Sequence, residues 1–280
     1  MRNRLSDRII SNVIVNISAG IAVLFVVIPF LWALSLSLKR EGDVFKLPLR
    51  YFPSPVTFEN YINAWKQYQF SIYFRNSLII ALISVFFIIL LSMLNGYVLS
   101  RYRFKGRKTF MLLLFCTQMI PGIFTIIPLF IMFRGLGLTN SPLGIIIAYI
   151  GGGIPFNTLL MFGFVNNLPK EIDEAAMVDG ANKLRTIFRI VMPILLPGIV
   201  ATSAFAFIGC WNEFFTAFAF ISSRKAFTIP IALRLLLAEN VVQLASMAAQ
   251  CMIALVPPLV LFAFIQKYLV QGLGSGAVKG

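Results

Sequence analysis

The chain alternates long apolar runs with short polar stretches, and six runs are long enough to matter first: 13–38, 71–100, 109–133, 142–165, 196–221 and 241–268. A helix rises 1.5 Å per residue, so about 20 apolar residues cross a hydrocarbon layer about 30 Å thick. Each of the six runs meets that length. In an open chain only helices satisfy every backbone N–H within lipid. The pattern predicts an all-α integral membrane protein of six transmembrane helices, read as one domain over residues 1–280 because no internal repeat divides it. The first run is too long for a secretory signal and lacks a small-residue cleavage site at its end, so it is expected to stay as a span.

Prolines recur inside the runs at Pro29, Pro121, Pro128, Pro155, Pro257 and Pro258. Each removes one helix hydrogen bond and permits a kink, which membrane helices tolerate where protein or water covers the freed carbonyl. The longest polar stretch between the first two runs, about 39–70, holds Pro48, Pro53, Pro55, Tyr51, Phe52, Tyr61 and Trp65. Such a mixture predicts an ordered interfacial cap.

Composition agrees with the pattern and narrows the function. The chain is 59% hydrophobic and 12% charged, against roughly 25% charged in a soluble domain. It carries 24 Lys and Arg against 10 Asp and Glu, a net +14. A basic balance of this size can mark nucleic-acid binding. Here the cations lie mostly between apolar runs, where they anchor segment ends and orient the chain, so no nucleic-acid partner is expected. The chain has no His, which excludes a His-ligated metal, a His base and a Ser-His-Asp triad within it. Cys116, Cys210 and Cys251 are scattered within apolar runs and read as small hydrophobes.

With six spans both termini share one side. That side holds Arg2, Arg4, Arg8, the run Arg101, Arg103, Lys105, Arg107 and Lys108, then Lys170, Lys183, Arg185, Arg189, Lys267 and Lys279. Fourteen of the 24 basic residues are therefore expected in the cytoplasm, which places both termini there.

The stretch 166–192, between the fourth and fifth runs, has a different character. It holds Glu171, Asp173, Glu174 and Asp179, four of the ten acidic residues. Pro169 suits a first helical position, the acids suit the first turns, and Gly180 suits a helix stop. A second short helix starts with Asn182 as its cap and repeats Leu184, Ile187, Phe188 and Val191 at i, i+3, i+4 and i+7. Lys183, Arg185 and Arg189 occupy its other side, and Pro193 and Pro197 turn it into the next span. Two short cytoplasmic helices, one acidic and one basic, form a protrusion for a partner to grip.

Glu174-Ala175-Ala176, Asp179-Gly180-Ala181, Phe188, Ile190, Pro193 and Pro197 resemble the EAA signature of permease subunits in bacterial ATP-binding-cassette importers. The strings TFENYINAW, YFRNSLI, GYVLSRYRFKG, IPLF, GLTNSPLG, WNEF and YLVQGLGSGAVKG extend the likeness over nearly the whole chain, to the smaller permease of maltose-type carbohydrate importers. Met192 stands where that family usually has Leu. The resemblance implies the type I importer permease fold, with a coupling helix seated on an ATPase subunit. It implies that Glu174 pairs with a basic ATPase residue, that Ala175 and Ala176 make close contact, that Gly180 permits the turn, and that Asp179, Ala181, Phe188 and Pro193 complete the coupling set. It also implies these partners: a second and different permease, two ATPase subunits, a soluble or lipid-anchored solute-binding protein and a carbohydrate. ATP and Mg²⁺ then belong to the ATPase, and this chain binds no cofactor. The glycine-rich tail, Gln271 to Gly280, lacks the G-x-x-x-x-G-K-[ST] order and is read as an ATPase contact, not as a phosphate cradle.

Polar groups inside spans are costly and mark candidate positions on a solute path. These are Gln118, Asn157, Trp211, Asn212 and Glu213, with Asn95 and Gln250 as further polar positions. Each has a structural alternative as an interhelical hydrogen bond. The competing function is a self-contained secondary transporter or channel, for which a single intramembrane acid, Glu213, is a thin basis. A membrane enzyme is the third reading, and the sequence offers it neither a metal cluster nor a triad.

Overall fold

The computed structural model describes residues 2–66, 69–237 and 243–277. Every regular element among them is helical, in the order α1 (Arg2–Ser37), α2 (Glu59–Lys66), α3 (Phe70–Arg101), α4 (Arg107–Met119), α5 (Gly122–Gly135), α6 (Pro142–Asn166), α7 (Glu171–Val178), α8 (Lys183–Thr186), α9 (Met192–Ile194), α10 (Leu196–Asn212), α11 (Phe215–Phe220), α12 (Ile229–Leu236) and α13 (Leu244–Ala277). Four of these helices are long and apolar enough to cross a membrane, and the number rises to as many as six if each of two bent helix pairs is one span. Residues 241 and 242 of the sixth expected run, and 278–280 of the tail, lie outside the described residues.

The bends have local causes. The third run folds as α4 and α5, which meet at 101°. Pro121 bars Ile120 from helical geometry, and Ile120 takes φ −83° and ψ 117°. In the fifth run α10 stops at Asn212, Glu213 is extended at φ −69° and ψ 121°, and α11 resumes two residues later. At its other end α10 meets the preceding 183–194 segment at 82°.

The chain forms two compact units, Met1–Ser71 with Leu233–Leu255 and Ile72–Ala232 with Val256–Gly280. In the first, the apolar side chains of α1 from Val13 to Leu31 are exposed, as expected of a helix whose solvent is hydrocarbon. Its end is captured by Asn60, whose buried amide donates to the carbonyls of Ser37 at 2.8 Å and Lys39 at 2.7 Å. Those carbonyls would otherwise be orphaned beyond the last turn. The Glu41 carboxylate accepts from the N–H groups of Ala245 (3.1 Å) and Ser246 (3.2 Å), where the positive end of α13 favours an anion.

The second unit has two apolar cores strung along α3 and α6. One joins Ile88, Met93 and Tyr97 of α3 and Met161 and Val165 of α6 to Ile187, Val191, Leu195 and Ile199. The other joins Ile80, Ile145 and Tyr149 to Phe133, Ala217, Phe220, Phe227 and Ile231. The first core lies directly beneath the acidic and basic short helices, so it fixes where the protrusion sits.

Candidate functional site: the 166–192 loop and a polar cleft

The protrusion is built as its residue types dictate. Glu171, Asp173 and Glu174 occupy the first turn of α7. The helix closes when the Gly180 N–H bonds the Met177 carbonyl at 3.1 Å and the Ala181 N–H bonds the Ala176 carbonyl at 3.0 Å. Gly180 sits between them at φ +78°, the left-handed position this closure requires. Asn182 then caps α8 by accepting from the Arg185 N–H at 2.9 Å.

The chain next makes a π turn over Ile187–Val191, and the Met192 N–H bonds the Ile187 carbonyl. Pro193 has no N–H to give, and its ring would clash with the Arg189 carbonyl in a regular α-helix, so a wider turn relieves both problems. The wider turn also breaks the simple helical period. Ile187 and Val191 are buried, but Leu184 (63% exposed) and Phe188 (41%) remain outside.

Glu174, Ala175, Asp179, Gly180 and Pro193 are exposed and Ala181 is half-buried, whereas Ala176 is buried inside the chain. Ala175 is thus the alanine that faces outward. Met177 and Val178 are also exposed, so α7 presents an apolar tip beside its carboxylates. Sequence reasoning passed over these two; their place directly after the small alanines and before the glycine stop was the available signal.

Asp173 was also passed over as a site residue. It is buried, and its carboxylate receives two side chains from α3. The Tyr97 hydroxyl donates to Oδ1 at 2.6 Å, and the Arg101 Nε pairs with Oδ2 at 2.7 Å, with both charged side chains under a tenth exposed. Arg101 Nη2 also donates to the carbonyls of Leu168 (3.1 Å) and Pro169 (3.4 Å). The Lys183 ammonium lies 5.1 Å from the centroid of the Tyr102 ring.

Of the polar span residues, Gln118, Asn157 and Glu213 line one cleft of about 310 Å³, with Tyr149, Phe156, Phe205 and Thr216. Glu213 is the best-held of them. Its carboxylate accepts from the Thr216 N–H at 2.7 Å, the Ala217 N–H at 3.1 Å and the Tyr149 hydroxyl at 2.8 Å, which fixes the break between α10 and α11. Glu213 also borders a second cavity, of about 840 Å³, lined by Thr125, Leu129 and Phe215 among others. The Asn157 amide donates to the Gly153 carbonyl at 2.7 Å.

Trp211 and Asn212 lie apart from that cleft. The Trp211 ring is 3% exposed, stacked on Phe207 at 5.5 Å and edge-on to Phe74 at 5.8 Å. Asn212 is exposed. Asn95 lines a separate groove with Lys105 and Phe110, and Gln250 is buried within the first unit.

The chain matches the family of binding-protein-dependent transport system inner membrane components over residues 88–275. The melibiose/raffinose/stachyose import permease protein MelC of Bacillus subtilis is 34% identical over 95% of this chain and 96% of its own length. The diacetylchitobiose uptake system permease protein DasC of Streptomyces coelicolor is 33% identical over 95% and 96%. The trehalose/maltose transport system permease protein MalG of Thermococcus litoralis is 29% identical over 99% and 100%. Among solved structures, a bacterial ABC transporter involved in import of the acidic polysaccharide alginate superposes with a TM-score of 0.79 at 22% identity, covering 94% of this chain and 97% of that one, a likeness of fold. With the family match running through α6, the protrusion and α10, this chain belongs to the binding-protein-dependent inner membrane components: it is the multi-pass permease of an ABC importer, its transport component and not its ATPase.

Proposed function

We propose that this chain is the smaller permease of a bacterial carbohydrate importer, forming half of a translocation path with a second, different permease. Two ATPase subunits carry ATP and Mg²⁺, and a solute-binding protein delivers the sugar. Both termini face the cytoplasm. The protrusion around α7 and α8 seats on the ATPase, with Glu174 toward a basic residue, Ala175 in close contact, Gly180 shaping the turn, and Asp179, Ala181, Phe188 and Pro193 completing the surface. Nucleotide-driven movement of this seat switches the paired permeases between outward-open and inward-open states.

The observation that carries this reading is the exposed acidic and apolar tip of α7, closed by Gly180 at φ +78°. A tip of this kind needs a partner, since acidic groups are poor ligands for anionic headgroups. The carbohydrate class is supported by two of the relatives, which are permeases for diacetylchitobiose uptake and for melibiose, raffinose and stachyose import. Gln118, Asn157 and Glu213 supply the solute path, where amides and a carboxylate beside the Phe156 and Phe205 rings suit a polyhydroxyl ligand.

The test is saccharide uptake by the importer purified in mild detergent and reconstituted. An ATPase is expected to co-purify, uptake should require ATP, and Glu213→Gln should slow it about tenfold, because an amide turns a donor toward one of three existing donors. Uptake by this chain alone, without ATP, would overturn the importer reading in favour of a self-contained transporter. Normal uptake by Glu213→Gln would remove Glu213 from the path.

A further inference from the structure

Asp173 lies in the same acidic turn as Glu171 and Glu174, yet its surroundings are opposite. Those two are exposed, while Asp173 is buried against the end of α3. Isolated carboxylates are not left in such a place, because burial without a partner is costly. Here each oxygen has its own partner, Tyr97 on Oδ1 and Arg101 on Oδ2, one helical turn apart on α3. Arg101 at the same time holds the Leu168 and Pro169 carbonyls, just ahead of Lys170, which caps α7. One guanidinium thus grips both the entry to α7 and its first turn. The planar fork of Arg can do this, and the single ammonium of Lys cannot serve both sets.

From this arrangement we infer that Tyr97, Arg101 and Asp173 are positioning residues that make α7 and the end of α3 one lever, so that α3 receives the displacement of the ATPase seat. The inference rests on the coupling reading above and adds to it the route into the membrane. The alternative routes are mechanically weaker. The turn at Gly180 has open space around it, and the way into α10 passes through a π turn and an 82° bend at Leu195. A widened turn and a sharp bend absorb displacement, whereas a buried ion pair flanked by three hydrogen bonds transmits it. The Lys183 ammonium over the Tyr102 ring adds a second, looser tie between α8 and the residue that follows α3.

The test uses the assembled importer in proteoliposomes and reads three quantities together: ATPase subunits retained, ATP hydrolysed, and sugar taken up per ATP. Asp173→Asn and Arg101→Lys should each lower sugar per ATP about tenfold, and Tyr97→Phe about threefold, with the ATPase subunits still bound. Tyr97→Phe deletes one hydroxyl only, so it keeps the test open if the charge variants fold poorly. Normal sugar per ATP in Tyr97→Phe and Arg101→Lys would overturn the inference. So would loss of the ATPase subunits in parallel with uptake in Tyr97→Phe, because the cluster would then shape the seat and not transmit its motion. Failure of the coupling reading itself would show elsewhere, as unchanged ATPase binding in Glu174→Lys.

Discussion

Gly180→Val is expected to cut ATP-dependent uptake by more than tenfold while the chain still inserts and accumulates in the membrane. The residue sits at φ +78° between the two hydrogen bonds that close α7. Left-handed geometry costs an ordinary L-residue about 1–2 kcal/mol, and a β-branched one more, which is enough to shift the loop population by about tenfold. A Cβ at this position would meet nothing within 4 Å, so crowding inside the chain plays no part. The effect is one of backbone conformation, and residue choice should follow it. Gly180→Asn, which tolerates positive φ, should keep much more uptake than Gly180→Val. Gly180→Asp brings a second penalty, a carboxylate beside Asp179 on the outer face of the seat, and should abolish transport. Uptake assays on the three variants, with immunoblots for membrane level, check the order. Equal activity of the Val and Asn variants would mean that the turn geometry is not what matters.

Gly96→Val is expected to fail at an earlier stage, in folding. A Cβ at Gly96 would lie 2.7 Å from the Phe162 nitrogen and 2.8 Å from the Met161 Cβ, where α3 and α6 pack backbone to backbone. Neither atom is the end of a flexible side chain, so one helix must move away. Overpacking of this kind costs about 3 kcal/mol at the upper end of its usual range, and close helix approach through small residues is the main source of attraction between membrane helices. The same contact supports the core under the protrusion, through Met93, Tyr97, Met161 and Val165. The expected result is a lower thermal unfolding midpoint in detergent and little protein at the membrane. Gly163→Ala is the control, since a Cβ there meets nothing within 4 Å and alanine suits a helix interior better than glycine, so the midpoint should not fall. Equal midpoints for wild type and Gly96→Val would show that α3 and α6 are not packed this closely.

Much of the architecture is visible in the order of residues because the strongest signals are local. Run length marks the candidate spans, Pro121 gives the α4–α5 break, and Gly180 and Asn182 give the stop of one short helix and the cap of the next, whereas Pro169 falls two residues ahead of α7 and not at its first position. The less visible part comes from effects that act at a distance. The i, i+3, i+4, i+7 stripe puts Leu184 and Phe188 on one face with Ile187 and Val191, yet the π turn separates them. Asp173 reads as one more helix-dipole acid, and only the approach of α3 seventy-odd residues earlier in the chain makes it the centre of a buried ion pair. Glu213 stands out as the lone acid in a span, but its work in fixing the α10–α11 break depends on Tyr149. Trp211 looks like a stacking surface for sugar until Phe207 is seen to lie on its face.

The claim on which the whole account turns is that the α7 tip lies in the cytoplasm against an ATPase. The direct measurement is oxidative cross-linking of Ala175→Cys, in a chain with Cys116, Cys210 and Cys251 replaced, to single cysteines placed along the surface of the ATPase subunit in intact membranes. A disulfide-linked permease–ATPase band is the predicted result. Absence of any such band, together with labelling of Cys at 175 by an impermeant maleimide added outside the cell, would contradict it.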